Sequence, residues 1–263
     1  MSNVGDLVGG RYRLGRRLGG EEGIGVFAAE DLSLRRSVVL KIAGPEAESA
    51  LRRQARCLTS LQFDTSNVVP VVDEGVTPDG GRYLVTALID GTRLDTLATR
   101  RGPLEPDEAA SIGVQLLDAA LAARRVVPDG LGTVPASAIL DRDGLLRVTR
   151  FRDREAGDGA DPTLAETATI VHELLTGVQP RPGQSVADHG REVPHELAEV
   201  VDAGLTGQVA TAEEFRRRLA DARRRLPQPV EPPPPPLRSW QVVAAVVVLA
   251  ATILVIALAV AVW

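Results

Sequence analysis

The sequence predicts an α+β fold, with strands gathered in the first third of the chain and helices after it. Three observations carry that expectation. A glycine-rich stretch, Leu18-Gly19-Gly20-Glu21-Glu22-Gly23-Ile24-Gly25-Val26-Phe27, lies between segments of strand character. Lys41, the only lysine among 30 basic residues, sits in the β-branched run Ser37-Val38-Val39-Leu40-Lys41-Ile42. Beyond Gly91 the apolar residues recur at helical spacing.

Taken in order, Tyr12-Arg13-Leu14 leads into the glycine-rich turn, and strands follow at Val26 to Glu30 and around Lys41. Glu46 to Leu61 carries apolar residues at Ala50, Leu51, Ala55, Leu58 and Leu61, a helical pattern. Short strands are expected at Val68 to Asp73 and Tyr83 to Ile89, split by the turn Pro78-Asp79-Gly80-Gly81. A long helix should run from Pro106 to Arg125. Glu105, Pro106, Asp107 and Glu108 open it, and acidic residues with an early proline suit the unpaired amides of a helix start. Ile139-Leu140 and Leu146 to Val148 flank the turn Asp141-Arg142-Asp143-Gly144 as a short strand pair. Helices return at Leu164 to Thr176, Glu196 to Leu205 and Ala212 to Leu226.

Residues 1–226 suffice for a full hydrophobic core, and two later segments leave it. In residues 227–239 proline dominates, which predicts a polyproline II spacer. Residues 240–263 run from Trp240 to Trp263 without a charge. As a helix this segment reaches ~36 Å, enough to cross a bilayer's apolar interior, and a tryptophan at each end suits the two interfaces. Arg223, Arg224, Arg225 and Arg238 all precede the span, so the rule that basic flanks stay inside predicts a cytoplasmic N-terminal domain on a single-pass tail anchor. The polar opening Met1-Ser2-Asn3-Val4-Gly5-Asp6 does not read as a signal peptide.

Composition excludes several classes. A net charge of −5 argues against nucleic-acid binding, and the arginine runs at 216–218 and 223–225 read as a solvated helix face with a membrane-proximal flank. The single cysteine, Cys57, rules out an internal disulfide framework and reads as a small core residue. His172, His189 and His195 lack the spacing of metal ligands. No metal site is expected.

Lys41 has two readings. An ammonium is a compact point charge, so a tight phosphate site can require it where arginine would not fit. Alternatively it is a chance survivor or a buried structural cation, with Glu21 or Glu22 as a charge partner.

In its order of segments the chain resembles the bacterial Hanks-type Ser/Thr protein kinases over residues 8–226. The resemblance rests on Arg11-Tyr12-Arg13-Leu14, the glycine-rich turn, Val38-Val39-Leu40-Lys41, Tyr83-Leu84-Val85, the segment Ala138 to Gly144, and Glu173-Leu174-Leu175-Thr176-Gly177. It implies a two-lobed protein-kinase-like fold, with an N-lobe at about 8–90 and a C-lobe at about 91–226. It also implies a nucleotide site involving Lys41, Gly19, Gly23 and Gly25.

The same resemblance implies lost chemistry. Kinases need a catalytic-loop Asp, a metal-holding Asn, the Asp of an Asp-Phe-Gly motif, and a helix Glu paired with the strand lysine. Registered on Pro135 and Ile139-Leu140, residues 130–137 take the catalytic loop. Gly132 then replaces the Asp, Val134 the loop lysine and Ser137 the Asn. Arg150-Phe151-Arg152 takes the Asp-Phe-Gly position, so Arg150 stands where a magnesium ligand belongs, and Gln54 replaces the helix Glu. Only about twelve residues separate Phe151 from the next helix, and no Ala-Pro-Glu motif occurs there. The expectation is a membrane-tethered pseudokinase that binds cytoplasmic or membrane proteins and has no catalytic residue. The alternative is a nucleotide-sensing module that binds ATP weakly, with Arg150 standing in for the metal's charge.

Overall fold

The first strands fold as one twisted antiparallel sheet because their buried residues fall on alternate positions. The computed structural model describes residues 3–21, 23–126, 134–152, 162–190 and 192–227. The strands are β1 (Leu7–Val8), β2 (Tyr12–Glu21), β3 (Ile24–Asp31), β4 (Arg36–Ala43), β5 (Val71–Val76) and β6 (Arg82–Ala87), in the order β1-β2-β3-β4-β6-β5. On β4, Val38 and Leu40 join Tyr12, Leu14, Phe27, Tyr83 and Val85 in a closed apolar cluster. Burying each large side chain there is worth roughly 1.5–3 kcal/mol. Val39 and Lys41, one residue out of phase, point from the other face into a cleft.

The helix expected from Glu46 instead begins with a 3-10 turn, Pro45–Ala47, and continues as α1 (Glu48–Leu61). Pro45, at the first position of that turn, fixes its backbone and offers no amide. α1 buries Leu51, Gln54, Ala55, Leu58 and Leu61 along one face. The strand expected at Val68 begins only at Val71, since Pro70 has no N–H for a ladder. Val68 makes a single parallel bridge to Val148, and the other sheet strand expected to reach Ile89 stops at Ala87.

The rest of the described chain is mainly helical. It comprises β7 (Gly91–Arg93), α2 (Leu94–Arg101), α3 (Pro106–Val126), β8 (Val134–Asp141), β9 (Leu146–Arg152), α4 (Pro162–Thr176), α5 (His195–Leu205) and α6 (Ala212–Arg225). Strands β7, β8 and β9 form a second antiparallel sheet. α3 is the axis of this part: Ala109, Ala110, Ile112, Leu116, Leu117 and Ala120 are all buried. Gly113 lets α4 and α6 approach, because a β-carbon there would come within 2.5 Å of a Val171 methyl and 2.7 Å of a Leu219 methyl. Thr211 caps α6 by accepting the Glu214 amide at 3.1 Å.

Polar stitching joins the two parts. The Val69 amide donates to the Val148 carbonyl at 2.9 Å, and the Val148 amide to the Asn67 carbonyl at 2.8 Å. Asn67 Nδ2 in turn donates to Gln115 Oε1 on α3 at 2.8 Å and to the Leu146 carbonyl at 3.2 Å. These bonds pin the segment after α1 onto β9, which fixes where α1 and β4 face the second sheet.

Residues Met1–Leu226 make one compact unit. Among the described residues no helix is long and apolar enough to cross a membrane. The proline-rich linker from Gln228 onward and the apolar segment 240–263 lie outside the described residues.

Candidate functional site

Between the large sheet and the helical part lies a cleft of about 1150 Å³. Its upper wall is the glycine hairpin with Val26, Val39 and Lys41, and its lower wall includes Ser137, Ile139 and Thr149 to Arg152. The lining combines apolar side chains, among them Leu18, Ala87 and Ile89, with the cations Arg16, Lys41, Arg53, Arg93, Arg100, Arg150 and Arg152.

The hairpin follows from its sequence. Gly20 pairs with Gly25 and Glu21 with Ile24 across a tight connection. Gly20 has φ +148, and a β-carbon there would meet the Ile24 carbonyl oxygen at 2.4 Å, so only glycine fits. Gly23, at the tip with φ +78, lies so close to the 3-10 turn that a β-carbon would meet Ala47 Cβ at 3.0 Å. Gly19 and Gly20 line the cleft, and the Phe27 ring lies against Gly25.

Lys41 and Gln54 converge on one atom. Lys41 Nζ donates to the Thr149 carbonyl at 2.5 Å, and Gln54 Nε2 donates to the same oxygen at 3.0 Å. Both donor side chains are buried, at 5% and 7% exposure, and the shared acceptor is part-buried. A carbonyl oxygen has two lone pairs and can take both donors. Gln54 is neutral and cannot give the lysine an ion pair.

Ser137 and Arg150 stand opposite one another across the β8–β9 ladder, and Val134 pairs with Arg152. Residues 134–137, expected within a loop, are therefore strand, and the expected short strand pair extends to Val134 and Arg152. The extension closes because each new residue gains a cross-strand partner from β9, which local sequence does not display. Arg152 also pairs with Glu166 on α4. Gly132 and the glycine-rich segment 157–161 lie outside the described residues.

Sequence reasoning did not assign Arg16, Arg53, Cys57, Arg93 or Arg100 to the cleft that they line. Arg53 could have been found from its place beside Gln54 on α1. Burial pushes the Cys57 thiol up to about 11, which makes it inert at neutral pH. His172 is fully buried, and burial lowers its pKa, which favours the neutral ring.

The described lining does not suit magnesium. That ion wants oxygen ligands, chiefly carboxylates, in octahedral array. Asp95 is the one carboxylate among the described lining residues, and Arg93 already holds it at 2.5 Å. Among the described residues no group of three or more His, Cys, Asp or Glu could hold a metal.

An antiparallel sheet with a glycine hairpin, a strand lysine facing a helix across a cleft, and a helical second part define the protein-kinase fold. A solved structure of Rad53 residues 1–466 in complex with AMP-PNP matches with a TM-score of 0.59 at 16% identity, covering 77% of this chain and 63% of that one. The chain's homologues are bacterial Hanks-type Ser/Thr protein kinases. Serine/threonine-protein kinase PknE of Mycobacterium tuberculosis (strain H37Rv) is 39% identical over 220 residues, covering 70% of this chain and 38% of that protein. PrkC of Bacillus subtilis (strain 168) is 32% identical over 154 residues, covering 56% of this chain and 23% of that protein. PknH of Mycobacterium bovis is 30% identical over 218 residues, covering 68% and 35%. The chain thus spans only 23% to 38% of the length of these relatives. No protein-family model matches it.

Proposed function

We propose that this protein is a catalytically inactive, membrane-tethered pseudokinase that acts by binding cytoplasmic or membrane proteins. The observation that carries the reading is the pairing of Ser137 with Arg150 inside a strand ladder. The family resemblance assigns those positions to the Asn and Asp that hold magnesium. A hydroxyl and a guanidinium there leave a phosphoryl group without the metal that offsets its charge in transfer. The lysine's donation to a backbone carbonyl supports the same reading, since the ion pair of an active kinase needs a carboxylate where Gln54 stands. In this reading residues 227–239 space the domain from the bilayer and residues 240–263 span it.

The test is a transfer assay on the full chain with labelled ATP, magnesium or manganese and generic protein substrates. Signal no greater than a protein-free control is expected. Autophosphorylation that disappears in Lys41→Met would sink the proposal.

A second reading, a nucleotide-sensing module without transfer, is favoured by Lys41 and by the size of the cleft it lines.

A further inference from the structure

We propose that the cleft takes a nucleoside triphosphate in its metal-free form, so that magnesium opposes binding instead of supporting it. The inference rests on the non-catalytic reading of the site, and it is tested by binding alone, so the two can fail separately.

The lining offers both apolar surface and cations. Leu18, Val26, Val39, Ala87, Ile89 and Ile139 offer apolar walls to a planar base. The Lys41 ammonium is held at 2.5 Å from the Thr149 carbonyl, and Arg150, the next residue along β9, lines the same cleft. Arg53, adjacent to Gln54 on α1, and Arg152, which also pairs with Glu166, line it too, as do Arg16, Arg93 and Arg100. Arginine forks match phosphate oxygens in bidentate fashion, and a lysine adds a point charge. A cleft lined mainly by cations, with Asp95 as the one carboxylate among the described lining residues, focuses its field on an anion.

Magnesium does not fit the described lining. It would approach Arg150 where it needs a carboxylate oxygen at about 2.0–2.1 Å. Bound to the ligand instead, it would neutralise part of the triphosphate charge that the lining cations attract. The ion bridges enzyme and nucleotide in an active kinase. Here it competes with the protein for the phosphates.

Calorimetric titration of the full chain in mild detergent decides the matter, with ATP added in EDTA or in excess magnesium. Binding in EDTA is expected, weakened about tenfold by magnesium, as loss of one modest charge contact would give. Arg150→Asp should reverse the sign of the magnesium effect. Arg150→Gln, a neutral replacement for use if the first variant misfolds, should abolish the preference for the metal-free form. Inorganic tripolyphosphate in EDTA should bind at least about tenfold more weakly than ATP, because it leaves the apolar walls unfilled. Equal binding of the two would overturn the nucleotide assignment. Absence of heat with millimolar ATP in EDTA, or tighter binding with magnesium, would overturn the proposal.

Discussion

Lys41 and Thr149 stand 108 positions apart and meet as donor and acceptor, the ammonium giving a hydrogen bond to the backbone carbonyl at 2.5 Å. The contact ties β4 to β9, and Gln54 on α1 donates to the same oxygen. Three elements therefore share one part-buried polar atom. Its loss should be felt in stability as well as in any ligand site.

Lys41→Arg should lower stability by about 1–2 kcal/mol. A planar guanidinium is longer and cannot replace a point donor in so enclosed a place. Urea unfolding followed by circular dichroism would measure it. A change within about 0.5 kcal/mol, the range of ordinary surface substitutions, would mean that the contact carries no weight.

Gly113→Ala should destabilise the helical part by about 1–3 kcal/mol, the usual range for an added methyl group in a packed core. Alanine gains nearly 1 kcal/mol over glycine in helix propensity, which opposes the effect. The steric term should prevail because a methyl group would meet Val171 at 2.5 Å and Leu219 at 2.7 Å together. Val171 is β-branched and stiff, so it cannot swing aside. A melting temperature raised by the substitution would show that α4 and α6 yield more easily than their packing suggests.

Acid should weaken the N-terminal sheet through Asp31. Its side chain is fully buried and accepts Arg11 Nε at 2.8 Å and Nη2 at 2.7 Å, with the Ser33 and Leu34 amides on Oδ1 at 3.1 and 3.2 Å. The Arg11 guanidinium, helped by the amides, holds the carboxyl near a pKa of about 2, below its ordinary 3.8. A depressed folded pKa gives stability that is complete above the unfolded value and lost as pH falls through the folded one. Melting temperature should therefore drop between about pH 4 and pH 2, and less steeply in Asp31→Asn. Parallel pH profiles for the two proteins would remove Asp31 from the account.

Truncation after Pro229 should release the protein from the membrane fraction, since residues 240–263 form the one long uncharged apolar run in the sequence. Fractionation of cells expressing the two forms reads this directly. A reporter fused after Trp263 should appear outside the cytoplasm. A truncated form that stays with the membrane contradicts the anchor.

Much of the fold was legible from period and punctuation. The strand around Lys41 announced itself by β-branched residues, and α3 by helical spacing behind an acidic, proline-bearing start. α2 and β7 escaped notice. Leu94–Arg101 has few apolar residues, with Leu97 its one buried position, so its helix rests on tertiary packing. At the site, the residue types at 54, 137 and 150 could be read as unsuited to metal chemistry from order alone. That 134–137 is strand could not, because the partner that makes it one lies across the ladder in β9.

The sequence by itself determined the alternating sheet, the helix faces and the singular lysine, since these depend on residue type at fixed local spacing. Only the tertiary structure decided what that lysine touches. Sequence reasoning offered Glu21 or Glu22 as a partner, because a side-chain charge is visible in a string of letters; Glu22 and the Glu21 side chain lie outside the described residues. Among the described residues an acceptor is the carbonyl of Thr149. Every residue carries a carbonyl, so its choice has no signature in composition or spacing. It is fixed when Asn67 and Val69 draw β9 up beneath β4 and α1.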